Sequence, residues 1–535
     1  MGSLRALAWA LCCAVGGAAA AAPSEIVWKD LSGWEVEYGR WRAEEGTLLQ
    51  TEVGPARTII WRPGKAYSDL DLTIPFKASS EGDGVKAAGV VYRAVSQEEY
   101  YYIHYDVRNS QVVWVRSAPG KEWTDARRHR WPELRAETWH TTRVVVRGDR
   151  HEVYLDGKRL FTETDGTLQA GVIGLRTGQG RIAFGTARLE GTEVSLDRPF
   201  VVLKPPFSDL CTDAGTGGYE AFPDVCRTKS GELLCVFYAG HGHVSVPNDK
   251  LPKGARICLA RSTDNGKTWS KPEVVVDTPI DDRDPSITQL SDGRLVVTYM
   301  TYVPGRKPMT HEVFLVWSAD GGKTWGPPQP VDSPLKGNEA VSEPIREMPD
   351  GTLLLPLYGA AEPGQKSTVC VLLSRDGGRS WPEHAMVHLE GEHLHEPSVV
   401  RLPDGRLLMV IRPRMTWCES TDGGRSWTRP QAMPVSGDAP YLLLTSRQIL
   451  LCAFRHRPTK STRLIYSTDA GKTWSEPILL DRVIGAYPSL VELPDGRILV
   501  VYYTEGAGSD IRALFLDASR AGVRVLPKEG SDTPG

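Results

Sequence analysis

Apolar and polar residues alternate in short runs over residues 24 to about 195. Clear examples are DLDLTIPF, AGVVYRA, QVVWVRS and HEVYLDGKRLF. Because successive side chains of a β-strand point to opposite faces, a period of two predicts half-buried strands. The Gly and Asp-Gly turns between the runs predict antiparallel hairpins. The pattern therefore predicts a jelly-roll β-sandwich in this part of the chain.

From about residue 200 onward the chain contains the octapeptide S-x-D-x-G-[KR]-[ST]-W five times. In a tight hairpin, Asp caps the turn with its side-chain oxygen, Gly accepts a positive φ, and Trp packs the turn against the sheet. The octapeptides are therefore predicted to be scaffold at the outer rim of a repeated fold. These five octapeptide repeats are STDNGKTW (Ser262–Trp269), SADGGKTW (Ser318–Trp325), SRDGGRSW (Ser374–Trp381), STDGGRSW (Ser420–Trp427) and STDAGKTW (Ser467–Trp474).

A longer unit occurs six times in the same region. It consists of a Pro, an apolar strand, a turn that usually contains Asp-Gly, and a second apolar strand. Since each unit supplies two hairpins, six units predict an all-β propeller of six four-stranded blades. The strand around PFVVLKPP (199–206) is expected to return and complete the last blade. The six units are FPDVCRTKSGELLCVFY, DPSITQLSDGRLVVTYM, EPIREMPDGTLLLPLY, EPSVVRLPDGRLLMVIR, APYLLLTSRQILLCAFR and YPSLVELPDGRILVVYY.

Four segments are predicted along the chain. Residues 1–22 combine an early Arg, an apolar run and a small-residue tail, the order found in a secretory signal peptide. The sandwich follows over 23–197, the six-bladed propeller over 198–525, and a flexible tail over 526–535. We therefore expect a protein that is secreted, periplasmic or at the cell surface after the signal is cleaved. No other segment is apolar enough to span a membrane.

The composition narrows the function classes. Lys+Arg 63 against Asp+Glu 66 give a net charge of −3 over 535 residues, which argues against nucleic acid as a partner. With 41% hydrophobic residues the chain can build packed cores, so a long disordered protein is excluded. No cofactor and no metal are expected, because the Asp residues of DDRDP (281–285) are better explained by pairing with Arg or by capping turns.

Seven cysteines remain after the signal peptide, an odd number without C-x-x-C spacing. Four of them lie between residues 211 and 258, and one disulfide among these is left open as an alternative to free thiols. Most of the others lie in apolar runs, which favours buried free thiols. The seven are Cys211, Cys226, Cys235, Cys258, Cys370, Cys418 and Cys452.

The aligned units place two rings of residues at equivalent points of the blades. A structural ring would repeat one residue type, whereas these rings mix carboxylates, arginines and tyrosines. Charge that converges on an axial pocket costs desolvation free energy unless it is paired or used, so a functional site is predicted there. The first ring, the residue before each shared Pro, is Phe222, Asp284, Glu343, Glu396, Ala439 and Tyr487. The second ring is Tyr238, Met300, Tyr358, Arg412, Arg455 and Tyr503.

Octapeptides of this kind on six propeller units resemble the Asp-boxes, or BNR repeats, of the sialidase (neuraminidase) superfamily. The resemblance covers about residues 200–520. It includes a Glu that opens the fourth unit and an Arg sixteen residues later, Glu396 and Arg412, and a Tyr that opens the last unit, Tyr487 in AYPSLV. The first segment resembles concanavalin-like or laminin-G-like jelly rolls over nearly its whole length, on looser motifs.

The resemblance implies a retaining exo-glycosidase that removes terminal sialic acid, or a related acidic sugar, from a glycan or glycoconjugate. Tyr487 would be the nucleophile, Glu396 would take its phenolic proton, and Arg412 would bind the carboxylate of the substrate. Two alternatives stay open: a propeller glycosidase that acts on a non-sialic sugar, and a non-catalytic glycan-binding protein.

The resemblance also assigns residues of the other blades. The acid/base Asp of the family lies on a loop of the first blade, which implies Asp249 in AGHGHVSVPNDKLPKG. The first Arg of the family has no counterpart, because Glu220, Ala221 and Phe222 stand at that place. The blade-five Arg is Arg455, or alternatively Arg457 or Arg463. The further candidates for substrate binding are Arg283, Asp284, Glu343, Glu220, His241, His243 and Tyr358.

Carbohydrate binding by the sandwich is left open by the sequence. Sandwiches of this type often bind glycans, and an exposed Trp can stack on a sugar ring, but sandwich cores also consume Trp. The candidates for stacking are Trp114, Trp123 and Trp131.

Overall fold

The computed structural model describes residues 23–51, 58–80, 86–118, 126–178, 180–202, 204–303, 310–506 and 508–528. The predicted signal peptide, most of the predicted tail and Trp123 lie outside these residues. Within them the fold is all-β, as predicted, and no helix is present that could cross a membrane. The chain separates into two compact units, which divide between residues 203 and 204.

The first unit is a β-sandwich-like domain built around one long strand. This strand, β5, pairs over Thr58–Tyr67 with β13 and over Leu70–Phe76 with β10. The strands are β1 (Ser24–Ile26), β2 (Glu35–Tyr38), β3 (Trp41–Glu44), β4 (Thr47–Gln50), β5 (Thr58–Ala78), β6 (Ala87–Ala94), β7 (Tyr100–Asp106), β8 (Gln111–Ser117), β9 (Arg127–Arg130), β10 (His140–Arg147), β11 (Arg150–Leu155), β12 (Lys158–Thr164), β13 (Gly171–Thr177), β14 (Ile182–Phe184) and β15 (Ala187–Val194).

The predicted alternation sets which side chains enter the core of this unit. In β10, His140, Thr142, Val144 and Val146 are buried, while the residues between them are less buried. The structure corrects one expectation about the aromatic residues, because Trp114 is 1% exposed and packs within the core. A side chain enclosed in this way cannot stack on an external sugar.

The second unit is a propeller of six sheets. The blades run in chain order, and β41 adds to the sixth. Their strands are β16 (Ser208–Cys211), β17 (Tyr219–Arg227), β18 (Leu233–Gly240), β19 (Arg256–Ser262), β20 (Glu273–Val276), β21 (Asp281–Gln289), β22 (Leu295–Val303), β23 (Thr310–Ser318), β24 (Gln329–Pro330), β25 (Gly337–Ala340), β26 (Arg346–Glu347), β27 (Leu353–Ala360), β28 (Ser367–Ser374), β29 (Glu383–Val387), β30 (His395–Arg401), β31 (Leu407–Arg412), β32 (Thr416–Ser420), β33 (Gln431–Ala432), β34 (Asp438–Leu444), β35 (Leu450–His456), β36 (Ser461–Ser467), β37 (Ile478–Asp481), β38 (Ala486–Glu492), β39 (Arg497–Tyr503), β40 (Ile511–Ser519) and β41 (Gly522–Val525).

An early strand closes the ring, but not the predicted one. Strand β16, which precedes the first blade, pairs with β40 of the sixth blade. The described residues of the segment 199–206 form no strand. Phe200 and Val202 instead pack in an apolar cluster of the first unit. The segment was apolar enough to suggest a strand, but its side chains are used in the neighbouring core.

The octapeptide repeats form hydrogen-bonded turns of the predicted kind. In the third repeat the Asp376 carboxylate accepts from the Arg379 and Ser380 amides at 2.9 and 3.0 Å, and the Gly378 amide donates to Ser374 Oγ at 2.9 Å. The closing Trp of each repeat packs against an apolar cluster of the propeller. These residues are Trp269, Trp325, Trp381, Trp427 and Trp474.

The turn carboxylates predict an acid dependence of stability. Burial alone would raise the pKa values of Asp422 and Asp469. Hydrogen bonds, among them one from the Ser426 hydroxyl to Asp422 and one from the Thr473 hydroxyl to Asp469, instead lower both pKa values from 3.8 to about 2. A depressed pKa in the folded state stabilises it above about pH 4, and this contribution is lost as the pH falls toward 2. We therefore expect Asp422→Asn/Asp469→Asn to lose less stability between pH 6 and pH 3 than the wild type does.

The measurement is urea unfolding followed by Trp fluorescence at the two pH values. The expected change in the pH dependence is about 1 kcal/mol or less, because Asp422 is exposed and Asp469 is only half-buried, so that solvent screens both carboxylates. Asp332→Asn, at an exposed position in the same unit, is the matched control. An unchanged pH dependence in the double variant would contradict a contribution of these turns to the loss of stability at low pH.

The cysteines form no disulfide. All seven thiols of the described chain are free, and all but the half-buried Cys226 are buried. The disulfide that the sequence left open between residues 211 and 258 is therefore absent. The cysteines therefore contribute to the structure by packing within the blades and not by cross-linking the chain.

Candidate active site

A repeated backbone bulge aims the first-ring residues at the propeller axis. At the shared Pro, the pairing between first and second strand skips two residues in five blades. Pro has no N–H for the ladder and restricts the residue before it, which favours a bulge at this position, and a bulge redirects a side chain. The residue before Pro has a positive φ in these blades: Phe222 (51°), Asp284 (50°), Glu396 (49°), Ala439 (48°) and Tyr487 (41°).

The third blade departs from this pattern. Its first strand is interrupted between β25 and β26, and Glu343 is not among the residues with positive φ. A small axial cavity of about 20 Å³, room for about one water molecule, is lined by the five left-handed residues and by Ser342 from the third blade. Glu343 is buried and pairs with Arg346 at 2.9 Å. The structure thus places Glu343 in an internal ion pair beside the cavity lining.

The second ring lies opposite the first in strand register. His395 pairs with Arg412, Asp438 with Arg455, and Ala486 with Tyr503. In the five blades that carry the bulge, each second-ring residue therefore pairs with the residue immediately before the bulge. The alignment of the six units along the sequence predicted this convergence.

Tyr487, Glu396 and Arg412 are in direct contact. The phenol of Tyr487 donates a short hydrogen bond to Glu396 Oε1, and Arg412 Nη1 donates to the same oxygen at 2.5 Å. Glu396 Oε2 accepts from the Ala439 amide at 3.0 Å, which fixes the carboxylate between two blades. Residues from the fourth and sixth blades, far apart in sequence, thus form one hydrogen-bonded cluster.

The surroundings of Tyr487 hold its phenol neutral. Burial raises its pKa well above the usual value of 10, and the charge of Glu396 raises it further. The guanidinium of Arg455, 5.5 Å from the ring centroid, acts in the opposite direction. Such a phenol can act as a nucleophile only if a neighbouring base accepts its proton as it reacts, and the group hydrogen-bonded to it here is the carboxylate of Glu396.

Arg455 lies beside this cluster. Its Nε donates to the Gly485 carbonyl at 2.6 Å, and its Nη2 donates to Tyr503 Oη at 3.1 Å. Of the three arginines considered for the fifth blade, Arg455 is the one over the Tyr487 ring. Arg457 binds Asp438, and Arg463 donates to the Pro477 carbonyl at 3.2 Å.

Phe222, one of the residues that stand in the sequence where the resemblance expects a first-blade arginine, lies between Tyr487 and Arg283 of the second blade. The ring of Phe222 lies 5.1 Å from that of Tyr487, and the guanidinium of Arg283 lies 5.3 Å from the Phe222 ring. Arg283 is buried between Asp281 at 3.4 Å and Asp284 at 3.8 Å. Burial raises the pKa of Asp284 to about 6, against the effect of Arg283.

Glu220 is enclosed two residues before Phe222. Its Oε1 accepts from the Ala214 amide at 2.9 Å, and burial raises its pKa to about 8. Its side chain is fully buried on β17, the first strand of the blade, so direct contact with a substrate requires a rearrangement of that strand. The sequence made Glu220 a candidate for substrate binding, but the burial of its side chain was not visible in the sequence.

The first-blade loop carries the remaining predicted residues. His241 and Asp249 are exposed, and His241 Nε2 is 3.3 Å from the Val246 carbonyl. The His243 ring lies 5.5 Å from that of Phe222, and its Nδ1 lies 3.0 Å from Tyr219 Oη. In the third blade, the half-buried Tyr358 packs against His395 at 5.3 Å. His243 and Tyr358 thus border the cluster, while Asp249 lies on an exposed part of its loop.

Two carboxylates of the site were missed in the sequence. Asp438 accepts from Arg412 at 3.2 Å and from Arg457, and it aligns with Arg283 as the residue two before the shared Pro. This shared position was the signal in the sequence from which Asp438 could have been predicted as a site residue. Glu505 accepts from the phenols of Tyr219 and Tyr503 at 2.7 and 2.6 Å. Although burial opposes it, hydrogen bonding from His243 and these phenols lowers the pKa of Glu505 to about 2.

The aspartates at the start of β21 are engaged with protein groups. Asp282 accepts from the amide and hydroxyl of Thr278 at 2.7 Å each. In the described part of the chain no group of three or more potential metal ligands is arranged to hold an ion. Hydrogen bonding and ion pairing within the protein account for this acidic segment.

Two family models match the chain. Residues 253–501 match the BNR repeat-like domain, and residues 28–190 match the 3-keto-alpha-glucoside-1,2-lyase-like domain. The chain is 25% identical over 344 residues to a sialidase of Micromonospora viridifaciens, covering 54% of this chain and 51% of that protein. It is 26% identical over 328 residues to a sialidase of Bacteroides fragilis, covering 50% and 57%. The chain thus spans about half the length of the curated relatives it matches.

Solved structures show the same fold. A protein of unknown function from Dyadobacter fermentans has a TM-score of 0.51 at 23% identity and covers 59% of this chain and 100% of its own. A Hadza microbial sialidase has a TM-score of 0.50 at 15% identity and covers 85% and 94%. The second unit is therefore a six-bladed propeller of the BNR-repeat class. More particularly, about half of the chain is similar in sequence to two sialidases, and its N-terminal part is similar to the 3-keto-alpha-glucoside-1,2-lyase-like domain.

Proposed function

We propose that the protein is a secreted, retaining exo-glycosidase that hydrolyses a terminal sialic acid or a related acidic sugar from glycans. The observation that carries this proposal is the contact of Tyr487, Glu396 and Arg412, which joins a nucleophile, its base and a cation. The resemblance to Asp-box sialidases and the homologous sialidases support the same reaction class. Secretion rests on the predicted signal peptide.

The reaction begins with attack of Tyr487 Oη on the anomeric carbon. The phenolic proton passes to Glu396 as the glycosidic C–O bond breaks, and the departing oxygen receives a proton from the acid, which we assign to Asp249. Water then attacks the anomeric carbon of the tyrosyl intermediate, Asp249 takes its proton, and the Tyr487 oxygen recovers the proton held by Glu396.

A tyrosine nucleophile suits an acidic sugar. A substrate with a carboxylate on the anomeric carbon repels an anionic Asp or Glu, whereas a neutral phenol approaches it without that repulsion. Arg412, with Arg455 beside it, supplies the positive charge for the carboxylate. The burial of Tyr487 supports this assignment, because it raises the pKa of the phenol well above its usual value of 10.

A second candidate function is hydrolysis of a non-sialic sugar by the same cluster. The observation that favours it is the pairing of the arginines: Arg412 already contacts two carboxylates, Glu396 and Asp438, and Arg283 lies between two more. Phe222 adds an apolar surface next to Tyr487. Such a site offers less free positive charge to an anionic sugar than a set of unpaired arginines would.

Arg412→Ala tests the acidic substrate. We expect kcat/KM on a fluorogenic sialoside to fall by about a hundredfold, because a charge-assisted bidentate contact to the substrate is lost. Arg414→Ala, at an exposed arginine two residues away, is the matched control and should be unchanged. Glycosidase assays of the purified chain against sialosides and a panel of neutral and acidic glycosides make the measurement.

The outcomes separate the candidate functions. Activity on sialosides that depends on Arg412 supports the first. A wild-type chain that is inert on sialosides but releases a different sugar supports the second. Glycan binding without turnover of any glycoside in the panel would leave a non-catalytic glycan-binding protein as the function and contradict both catalytic proposals.

A further inference from the structure

The sandwich unit has a cleft on the accessible side of four of its strands. One register row crosses this face: Arg42 of β3 pairs with Leu49 of β4, Leu49 with Ala183 of β14, and Ala183 with Lys77 of β5. The next row, which includes Trp41, Gln50, Ile182 and Ala78, is buried. The side chains of the row from Arg42 to Lys77 therefore lie on the outward face. The cleft has a volume of about 360 Å³, within the range of ligand sites.

This cleft has an apolar floor between two cations. The half-buried Leu49 and Ala183 lie in the middle of the row, and Arg42 and Lys77 lie at its ends. With strands about 4.8 Å apart, the two ends are separated by roughly 14 Å, the length of two to three sugar rings. A small apolar floor suits the C–H face of a pyranose, and the terminal cations suit acidic groups.

The sides of the cleft add a third cation and an anchored carboxylate. Arg181 and Ser79 are joined by a hydrogen bond from the Ser79 amide to the Arg181 carbonyl at 2.9 Å, and both line the cleft. The Glu137 carboxylate accepts from the amide and hydroxyl of Ser80 at 2.6 and 2.9 Å, and the Glu137 amide donates to the Ala78 carbonyl at 2.8 Å. These bonds hold the loop that carries Glu137 at the Lys77 end.

An exposed tryptophan follows on the same loop. Trp139 is 47% exposed, and the ammonium of Lys77 lies 5.6 Å from its ring centroid. Trp139 does not itself line the cleft but lies beside Lys77, which does, and a large exposed aromatic surface next to a polar cleft is a common platform for a sugar ring. The two tryptophans considered from the sequence that lie within the described residues do not occupy such a place: Trp114 is in the core, and the half-buried Trp131 packs against it.

The charges on the lining favour an anion. Three cations, Arg42, Lys77 and Arg181, face one carboxylate, Glu137. At the edge, Glu44 pairs with Arg42 at 3.0 Å, and both side chains are exposed. We propose that this cleft binds an acidic oligosaccharide, a chain of sugars that carry carboxylate or sulfate groups. The ring of one sugar lies on Trp139, and acidic groups on successive sugars of the chain meet Lys77, Arg181 and Arg42.

The proposal does not rest on the function of the propeller. It gives the first unit a binding role of its own, which would hold an acidic glycan to the protein whichever bond the second unit cleaves. An experiment that contradicts the glycosidase assignment does not contradict binding at the cleft, and an experiment that contradicts binding at the cleft does not contradict the glycosidase assignment.

Isothermal titration calorimetry on the full chain tests the cleft, with three probes: a tetragalacturonate, a heparin-derived tetrasaccharide and neutral cellotetraose. The Tyr487→Phe background is used so that the propeller does not consume a probe. We expect binding of at least one acidic probe that weakens with added NaCl, and weaker or no binding of cellotetraose. Arg181→Ala and Lys77→Ala should each weaken acidic binding by about tenfold.

Two further variants complete the design. Trp139→Ala should weaken binding of the acidic probe at low and high salt alike, because it removes a stacking surface and no charge. Arg159→Ala changes an exposed arginine on β12, which does not line the cleft, and should bind as the wild type does.

Several results would overturn the proposal. These are no binding of either acidic probe by a folded chain, equal binding of cellotetraose, or equal losses in Arg159→Ala and Arg181→Ala. If the carboxylated and sulfated probes differ in affinity, the difference identifies which acidic group the cleft prefers.

Discussion

Replacing Tyr487 by Phe is expected to lower kcat/KM by about 10³-fold or more on the substrate that the wild type hydrolyses. The variant keeps the ring and its packing against Phe222 but removes the oxygen that donates to Glu396. Without that oxygen no covalent intermediate can form, and a loss of several kcal/mol of transition-state stabilisation follows. The measurement is steady-state kinetics with a fluorogenic sialoside, or with the glycoside identified in the panel.

Tyr299→Phe is the matched control for this experiment. Tyr299 is a fully buried tyrosine of the second blade that packs in an apolar cluster outside the axial ring. It should keep wild-type kinetics, and both variants should retain a wild-type unfolding transition. A fully active Tyr487→Phe would refute the nucleophile assignment, while the fold and the cleft of the first unit would be unaffected.

Gly485→Ala is expected to destabilise the propeller by about 3 kcal/mol and to abolish most of the activity. A Cβ at this position would lie 2.1 Å from the Tyr503 carbonyl oxygen and 2.8 Å from the Glu505 amide nitrogen. These are backbone atoms of the adjacent strand and turn, which cannot step aside as a flexible side chain can, so β38 must move. Tyr487 follows two residues later and would move away from Glu396.

Thermal unfolding and kinetics of the same preparation make this measurement. Gly326→Ala is the matched control, because its Cβ would approach no closer than 3.6 Å, to the Trp317 carbonyl oxygen. We expect that control to differ little from the wild type in both measurements. A Gly485→Ala chain with the wild-type melting temperature would show that the strand accommodates the methyl group.

The two repeats made most of the propeller predictable. The octapeptides fix a turn chemistry that needs only local residues, as the bonds from Ser374 to Ser380 illustrate. The Pro-strand-turn-strand units predict six aligned hairpins. Residues at the same position in each unit therefore lie at the same level along the propeller axis. This is why Tyr487, Glu396 and Arg412, from two distant blades, could be brought together from the sequence alone.

The repeats did not reveal the departures from the average blade. Glu343 has the same offset as Glu396, but the interrupted first strand of the third blade turns it toward Arg346. The closing strand was assigned to 199–206, because an apolar run predicts burial without stating which core receives it. Phe200 and Val202 pack in the sandwich instead, and β16 closes the ring.

The sequence by itself determined the all-β class, the six blades, the turn chemistry and the offsets of the axial residues. Each of these depends on local patterns: a period of two, positive φ at glycine, and the missing N–H of Pro. The tertiary structure alone decided which charges meet. Asp438 beside Arg412, Glu505 beside His243, Trp114 inside the core and Trp139 at the cleft depend on contacts between segments far apart in the chain. Burial and ion pairing arise only when those segments pack.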